Sequence, residues 1–214
     1  AAVGQLGHSY HARSGQLFFP EACRKADSEA AKAYLLGVLG HYCLDSACHP
    51  YVNQLVSIGE VRHIAIESQL ERRLLLLDGV KSPETFDMSK RFRLTRGECM
   101  TVAEFYPPAT GANVSRCVKH MAWCTHFLAS PNRSWRWKLL HRIKPELCDI
   151  FIPAEDDENS TLYVDELVTL YNQALTQYPE MTRQLLAHLK DGTELGPEFL
   201  PSFDPHNDGL ERRP

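Results

Sequence analysis

The chain has no apolar run long enough to cross a bilayer. Tyr34–Leu39 and Leu74–Leu77 fall far short of the ~20 residues a spanning helix needs. Apolar–polar alternation with a period of two, the mark of a half-buried strand, is missing as well, which leaves an all-α class. There is no basic excess: 23 Lys and Arg face 27 Asp and Glu, for a formal net charge of −4. Bulk charge therefore gives no reason to bind a nucleic-acid backbone, and no nucleic-acid partner is expected. The seven cysteines, Cys23, Cys43, Cys48, Cys99, Cys117, Cys124 and Cys148, are odd in number and scattered without a framework. That favours free thiols in a reducing, cytoplasmic setting. No internal repeat and no signal-like segment are found. The opening Gln5-Leu6-Gly7-His8-Ser9-Tyr10 reads as the middle of a longer chain, which keeps a secreted protein with a missing N-terminus in view.

What is present suits one globular domain over residues 1–214, with 43% hydrophobic and 23% charged residues. Leu17-Phe18-Phe19-Pro20 is expected to anchor a turn or short helix on the core. Asp27 or Ser28 caps a helix that runs to about Cys48, where Pro50 stops it and leaves His49 at a frayed end. A second helix covers about Glu60 to Leu77, with Ile64, Ile66, Leu70, Leu74 and Leu77 as its apolar stripe and Asp78-Gly79 as its stop. Residues 80–94 read as loop. Helices follow over Thr95–Tyr106, Asn113–Ala129 and Asn132–Ile143, then from Ser160 or Thr161 to Gln177, and from Pro179 to Lys190. The segment 193–214, with Pro197, Pro201 and Pro205, is expected to be extended over the body.

Against this background the histidines and carboxylates have a pattern. His41, Asp45 and His49 recur at i, i+4, i+8. Each step of four turns a helical side chain only ~40°, so all three share one face. His63 and Glu67 repeat the i, i+4 spacing on the next helix. Two His-x3-carboxylate pairs on successive helices are what a zinc site needs. A carboxylate on an apolar stripe is expensive without a cation, which favours a metal at Asp45. His8 or His11 is expected to join the cluster. Cys43 and Cys48 point away from it and read as packing residues. Glu71 continues the His63–Glu67 line and reads as a solvated partner of Arg72, Arg73 or another surface charge. His120 and His126, six apart, do not share a face and are read as non-ligands. The Trp and basic residues of 132–143 read as an amphipathic helix with snorkelling cations, with a membrane-surface or phosphate-binding role beside that.

The strings Leu39-Gly40-His41-Tyr42-Cys43-Leu44-Asp45-Ser46-Ala47-Cys48-His49-Pro50-Tyr51 and His63-x3-Glu67, with His11, Phe18 and Phe19 upstream, closely resemble the zinc-dependent phospholipase C family in its bacterial form. The likeness covers about residues 8–75. It implies a compact helical bundle, shared with single-strand nucleases, around clustered zinc ions. His41 and Asp45 would hold one ion, with Asp45 bridging to another and serving as the catalytic candidate. His49, His63 and Glu67 would hold a second ion, and His11, or else His8, would complete the first. Two Zn2+ are thus expected from the ligands present, against three in the family. The family's third zinc uses a terminal Trp, a His and an Asp, and no counterpart is found in residues 1–10. Either a preceding segment supplies them or the chain lacks them.

The implied activity is hydrolysis of a phospholipid to diacylglycerol and a phosphorylated head group by metal-activated water, with transient contact at a membrane surface. Two rivals remain at this point. One is a zinc-dependent single-strand nuclease, which would need a base-stacking pocket and a basic groove. The other is a helical module whose zinc is purely structural.

Overall fold

The computed structural model describes residues 7, 9–129 and 133–204. Every regular element among them is helical, apart from an isolated antiparallel bridge between Ser14 and Ser202. His8, Asn132 and Pro205 lie outside the described residues, so expectations resting on them go no further.

The α-helices are α1 (Gly15–Cys23), α2 (Glu29–Ser57), α3 (His63–Leu77), α4 (Arg96–Phe105), α5 (Gly111–Ala129), α6 (Arg133–Ile143) and α7 (Thr161–Asp191). Local chemistry sets most of their ends. Ser28 Oγ accepts from the Ala31 N–H at 3.2 Å and starts α2. Thr95 and Glu98 form a reciprocal capping box at α4. Gly79 and Gly192 take positive φ beyond α3 and α7, where a side chain would be strained. The 80–94 segment holds only two short 3-10 turns, Pro83–Thr85 and Ser89–Arg91.

Prolines are where the helices depart from expectation. Pro50 and Pro179 both lie inside helices. α2 therefore continues to Ser57, with His49 in regular helix rather than at a frayed end, and the two helices expected on either side of Pro179 are one. A helical proline loses one hydrogen bond and costs ~3 kcal/mol. Burial beyond each proline outweighs it: Val52 and Leu55 follow Pro50, and Met181 and Leu185 follow Pro179, all within 4% of full burial.

The chain divides into two compact units. The first comprises residues 1–53, 95–115 and 170–214, and the second comprises 54–94 and 116–169. The first unit's core is aromatic. Phe18, Phe19, Tyr42, Phe105, Phe199 and Phe203 pack with Leu35, Leu39 and Leu185. The segment expected to lie extended over the body instead inserts Phe199 and Phe203 into this core and forms a 3-10 turn at Pro197–Phe199. The buried Tyr42 hydroxyl donates to the carbonyls of Pro201 and Glu198, at 2.9 and 3.1 Å. Gly15 has to be a glycine, because a Cβ there would stand 2.8 Å from the Tyr42 ring.

The second unit is held more by polar ties. Arg62 pairs with Asp149 at 2.6 Å, Arg72 with Asp156 at 2.9 Å and Arg73 with Asp165 at 3.0 Å. Ser68 Oγ donates to the Asp149 carbonyl at 2.6 Å. Of the expected α3 stripe, Ile66 is buried and Leu70 and Leu74 are half-buried, whereas Ile64 and Leu77 are exposed. Met121, expected in the core of α5, is also exposed. No helix of the described residues is long and apolar enough to cross a membrane.

Candidate metal centre

In the first unit, α2 and the helical residue His11 ahead of α1 bring three donor atoms together. His41 and Asp45 lie one turn apart on α2, and His41 Nε2 is 3.1 Å from Asp45 Oδ2. His11 reaches the same point, its Nε2 3.4 Å from His41 Nε2. All three ligand atoms lie within 4.8 Å of one another and could hold a metal ion. The spacing fits one. Two ligand bonds of ~2.05 Å meeting at a tetrahedral angle place their donors ~3.3 Å apart.

The surroundings hold these side chains in place. Phe203 stacks on His11 with ring centroids 5.6 Å apart and lies at 5.8 Å from His41, so both imidazoles rest on one buried ring. The Asp204 N–H donates to the His11 carbonyl at 3.2 Å and fixes the backbone there. Asp45 keeps only 13% of its side chain accessible, and a carboxylate so enclosed favours a cation beside it. Burial, and after it the neighbouring imidazoles of His11 and His49, push the His41 pKa down to about 4. The imidazole is therefore neutral, as a ligand must be. Two imidazoles and a carboxylate are a zinc-type donor set that leaves a fourth position open.

His49 lies on α2 in the first unit, and His63 and Glu67 lie on α3 in the second. His49 Nδ1 lies 3.1 Å from the Phe203 carbonyl. A carbonyl accepts only from an N–H, so Nδ1 carries the proton and Nε2 is left as the ligand nitrogen, the usual orienting arrangement for a metal-binding histidine. On α3, His63 Nε2 stands 3.0 Å from Glu67 Oε1, with both side chains partly exposed.

The remaining candidates separate clearly. Cys43 and Cys48 are buried packing residues; Cys43 Sγ lies 3.4 Å from Met181 Sδ. His126 pairs with Asp87 at 2.8 Å, and His120 lies beside Cys124. Glu71 is not the partner of Arg72 or Arg73, which Asp156 and Asp165 occupy. It lines a cavity of about 270 Å³ with Phe86, Met88, Phe92 and Ile152, and desolvation there raises its pKa. Sequence reasoning missed Phe203, Asn53 and Asp204. Asn53 Nδ2 donates to Asp204 Oδ1 at 2.9 Å and ties the Phe203 segment to α2. The Phe199-x3-Phe203 spacing in a Pro-rich stretch was the only available signal. Comparison with family models, with curated proteins and with solved structures finds no match.

Proposed function

We propose that this chain is a zinc-dependent phosphodiester hydrolase that acts on phospholipids. The observation that carries the reading is the meeting of His11 Nε2, His41 Nε2 and Asp45 Oδ2 at ligand spacing on a buried aromatic wall. The likeness of the His41–Tyr51 and His63–Glu67 strings to zinc-dependent phospholipases C supplies the substrate class. In this reading His11, His41 and Asp45 hold one zinc, and His49, His63 and Glu67 hold a second. Bound zinc would neutralise the phosphate oxygens and lower the pKa of water.

The chain's own contribution is positioning. Asp45 brings the negative charge that fixes a cation in place. His41 remains neutral, and His11 and His41 both rest on the Phe203 ring. His49 keeps its proton on Nδ1, bonded to the Phe203 carbonyl, and offers Nε2. The seven thiols are all free, which agrees with the cytoplasmic setting the reading includes.

The test is metal content by mass spectrometry together with hydrolysis of p-nitrophenyl phosphocholine, with and without chelator. Zinc bound to the chain and turnover abolished by chelator are expected. Zinc without turnover on either this ester or a single-stranded oligonucleotide would make the metal structural. Turnover of the oligonucleotide alone would move the assignment to a nuclease.

A further inference from the structure

Tryptophan is the side chain with most to gain from burial, yet all three tryptophans of this chain are open to solvent. Trp123 is 59% exposed, Trp135 56% and Trp137 39%. All belong to α5 and α6 of the second unit. Large apolar side chains left exposed on one face mark a contact surface.

Its charge is one-sided. Residues 133–144 carry Arg133, Arg136, Lys138, Arg142 and Lys144 and no Asp or Glu, in a chain whose net charge is −4. Arg136 is committed inward: its guanidinium donates to the Phe127 carbonyl at 2.6 Å and lies 4.4 Å from the Phe127 ring centroid. Lys138, Arg142 and Lys144 form no ion pair among the described residues. Helical geometry then places two exposed pairs at i, i+4 on one arc of ~100° of α6, away from the half-buried Leu140: Trp135 with Leu139, and Lys138 with Arg142. The Arg136 guanidinium bridges this arc to Phe127, lying 5.6 Å from the Trp135 ring centroid as well. The surface continues onto α5 through Phe127, on which Trp123 stacks at 5.2 Å, and the exposed Lys119 lies one turn before Trp123.

We propose that the exposed face of α6, with Trp123 of α5, docks on a bilayer bearing anionic phospholipid. Indole rings favour the boundary between headgroup and acyl chain, where an apolar body and an N–H are both satisfied. Lysine and arginine beside them keep their cations at the phosphates while their stems lie on the apolar layer. The mixture of aromatic, aliphatic and basic side chains on one arc fits that boundary, and the absence of carboxylates there fits a negative surface. The inference deepens the phospholipid reading by naming the surface that meets the substrate's membrane. It rests on that reading for its purpose and not for its geometry.

The full chain is incubated with vesicles of phosphatidylcholine alone and of phosphatidylcholine mixed with phosphatidylglycerol. Sedimentation and tryptophan emission are read at low and high salt. Wild-type protein is expected to bind the mixed vesicles, with a blue shift, and to release as salt rises. Lys138→Gln combined with Arg142→Gln is expected to lower partitioning about 30-fold, and Trp135→Ala to reduce the blue shift. Both variants should keep the wild-type circular dichroism and turnover of the water-soluble ester.

Binding that ignores phosphatidylglycerol, or a double variant that binds like wild type, would overturn the proposal. So would a wild-type chain that leaves vesicles alone and instead dimerises through Trp135 or binds a single-stranded oligonucleotide. Because soluble-ester turnover is read separately, failure of docking and failure of the hydrolase reading give different results.

Discussion

The two units use their aromatic side chains in opposite ways. In the first, Phe18, Phe19, Tyr42, Phe199 and Phe203 are buried in one cluster, and Phe203 touches His11, His41 and Tyr42. In the second, Trp123, Trp135 and Trp137 face solvent, with Lys138 and Arg142 in no ion pair among the described residues. Buried rings fix the rotamers of what they touch, and a ligand set has to be fixed before the ion arrives. Exposed rings touch their own chain on one side only and leave the other open to something else. The contrast separates a part built for geometry from a part built for contact.

Substitutions can break or sharpen that contrast. The largest effect is expected from Asp45→Asn, which removes the one carboxylate among the His11, His41 and Asp45 donors. Zinc affinity and ester turnover should each fall by about a hundredfold or more, and melting temperature in zinc should drop towards that of the chelated protein. A variant with full zinc occupancy would contradict the role given to Asp45. Next comes Phe203→Ala, expected to cost ~3–5 kcal/mol by denaturant titration, because it opens a cavity and frees two imidazoles together. If the cost were under ~1 kcal/mol, a range usual for surface positions, the buried wall would not be holding the site.

Tyr42→Phe leaves the ring and removes the donor to the Glu198 and Pro201 carbonyls. A loss of ~0.5–1.5 kcal/mol is expected, read in the same titration. Trp135→Ala should sit at the other pole, within ~1 kcal/mol of wild type, since its ring is mostly exposed. A loss as large as that of Phe203→Ala would erase the distinction between the units.

The smallest effect concerns acid. The hydrogen bond from His126, and after it those from Ser89, hold Asp87 down at about 2. A carboxyl with a depressed folded pKa binds its proton less readily when folded. Its contribution is therefore present above an unfolded pKa of ~3.9 and is lost as pH falls through about 2. The group is exposed, so the contribution is screened and small, ~0.2–1 kcal/mol. Asp87→Asn should flatten that part of the stability–pH curve, and an unchanged slope between those limits would refute it.

The helical class and most helix ends were legible in the sequence because their causes are local. Ser28, Thr95 with Glu98, and Gly79 act within one turn of themselves. The i, i+4 placement of His41 with Asp45, and of His63 with Glu67, needs nothing beyond helix geometry. What could not be read depends on distant burial. Pro50 and Pro179 look like breakers until Val52, Leu55, Met181 and Leu185 are seen to be buried after them. Glu71 looks solvated until Arg72 and Arg73 are seen to be taken by Asp156 and Asp165. The Pro-rich segment gave no local sign that Phe203 would become the surface on which His11 and His41 rest.

The most direct test of the central claim is an anomalous difference map at the zinc absorption edge, from crystals of the chain purified with zinc. A peak within bonding reach of His11 Nε2, His41 Nε2 and Asp45 Oδ2 together is the expected result. A map without density there, with zinc present in the crystal and the three side chains turned apart, would contradict it.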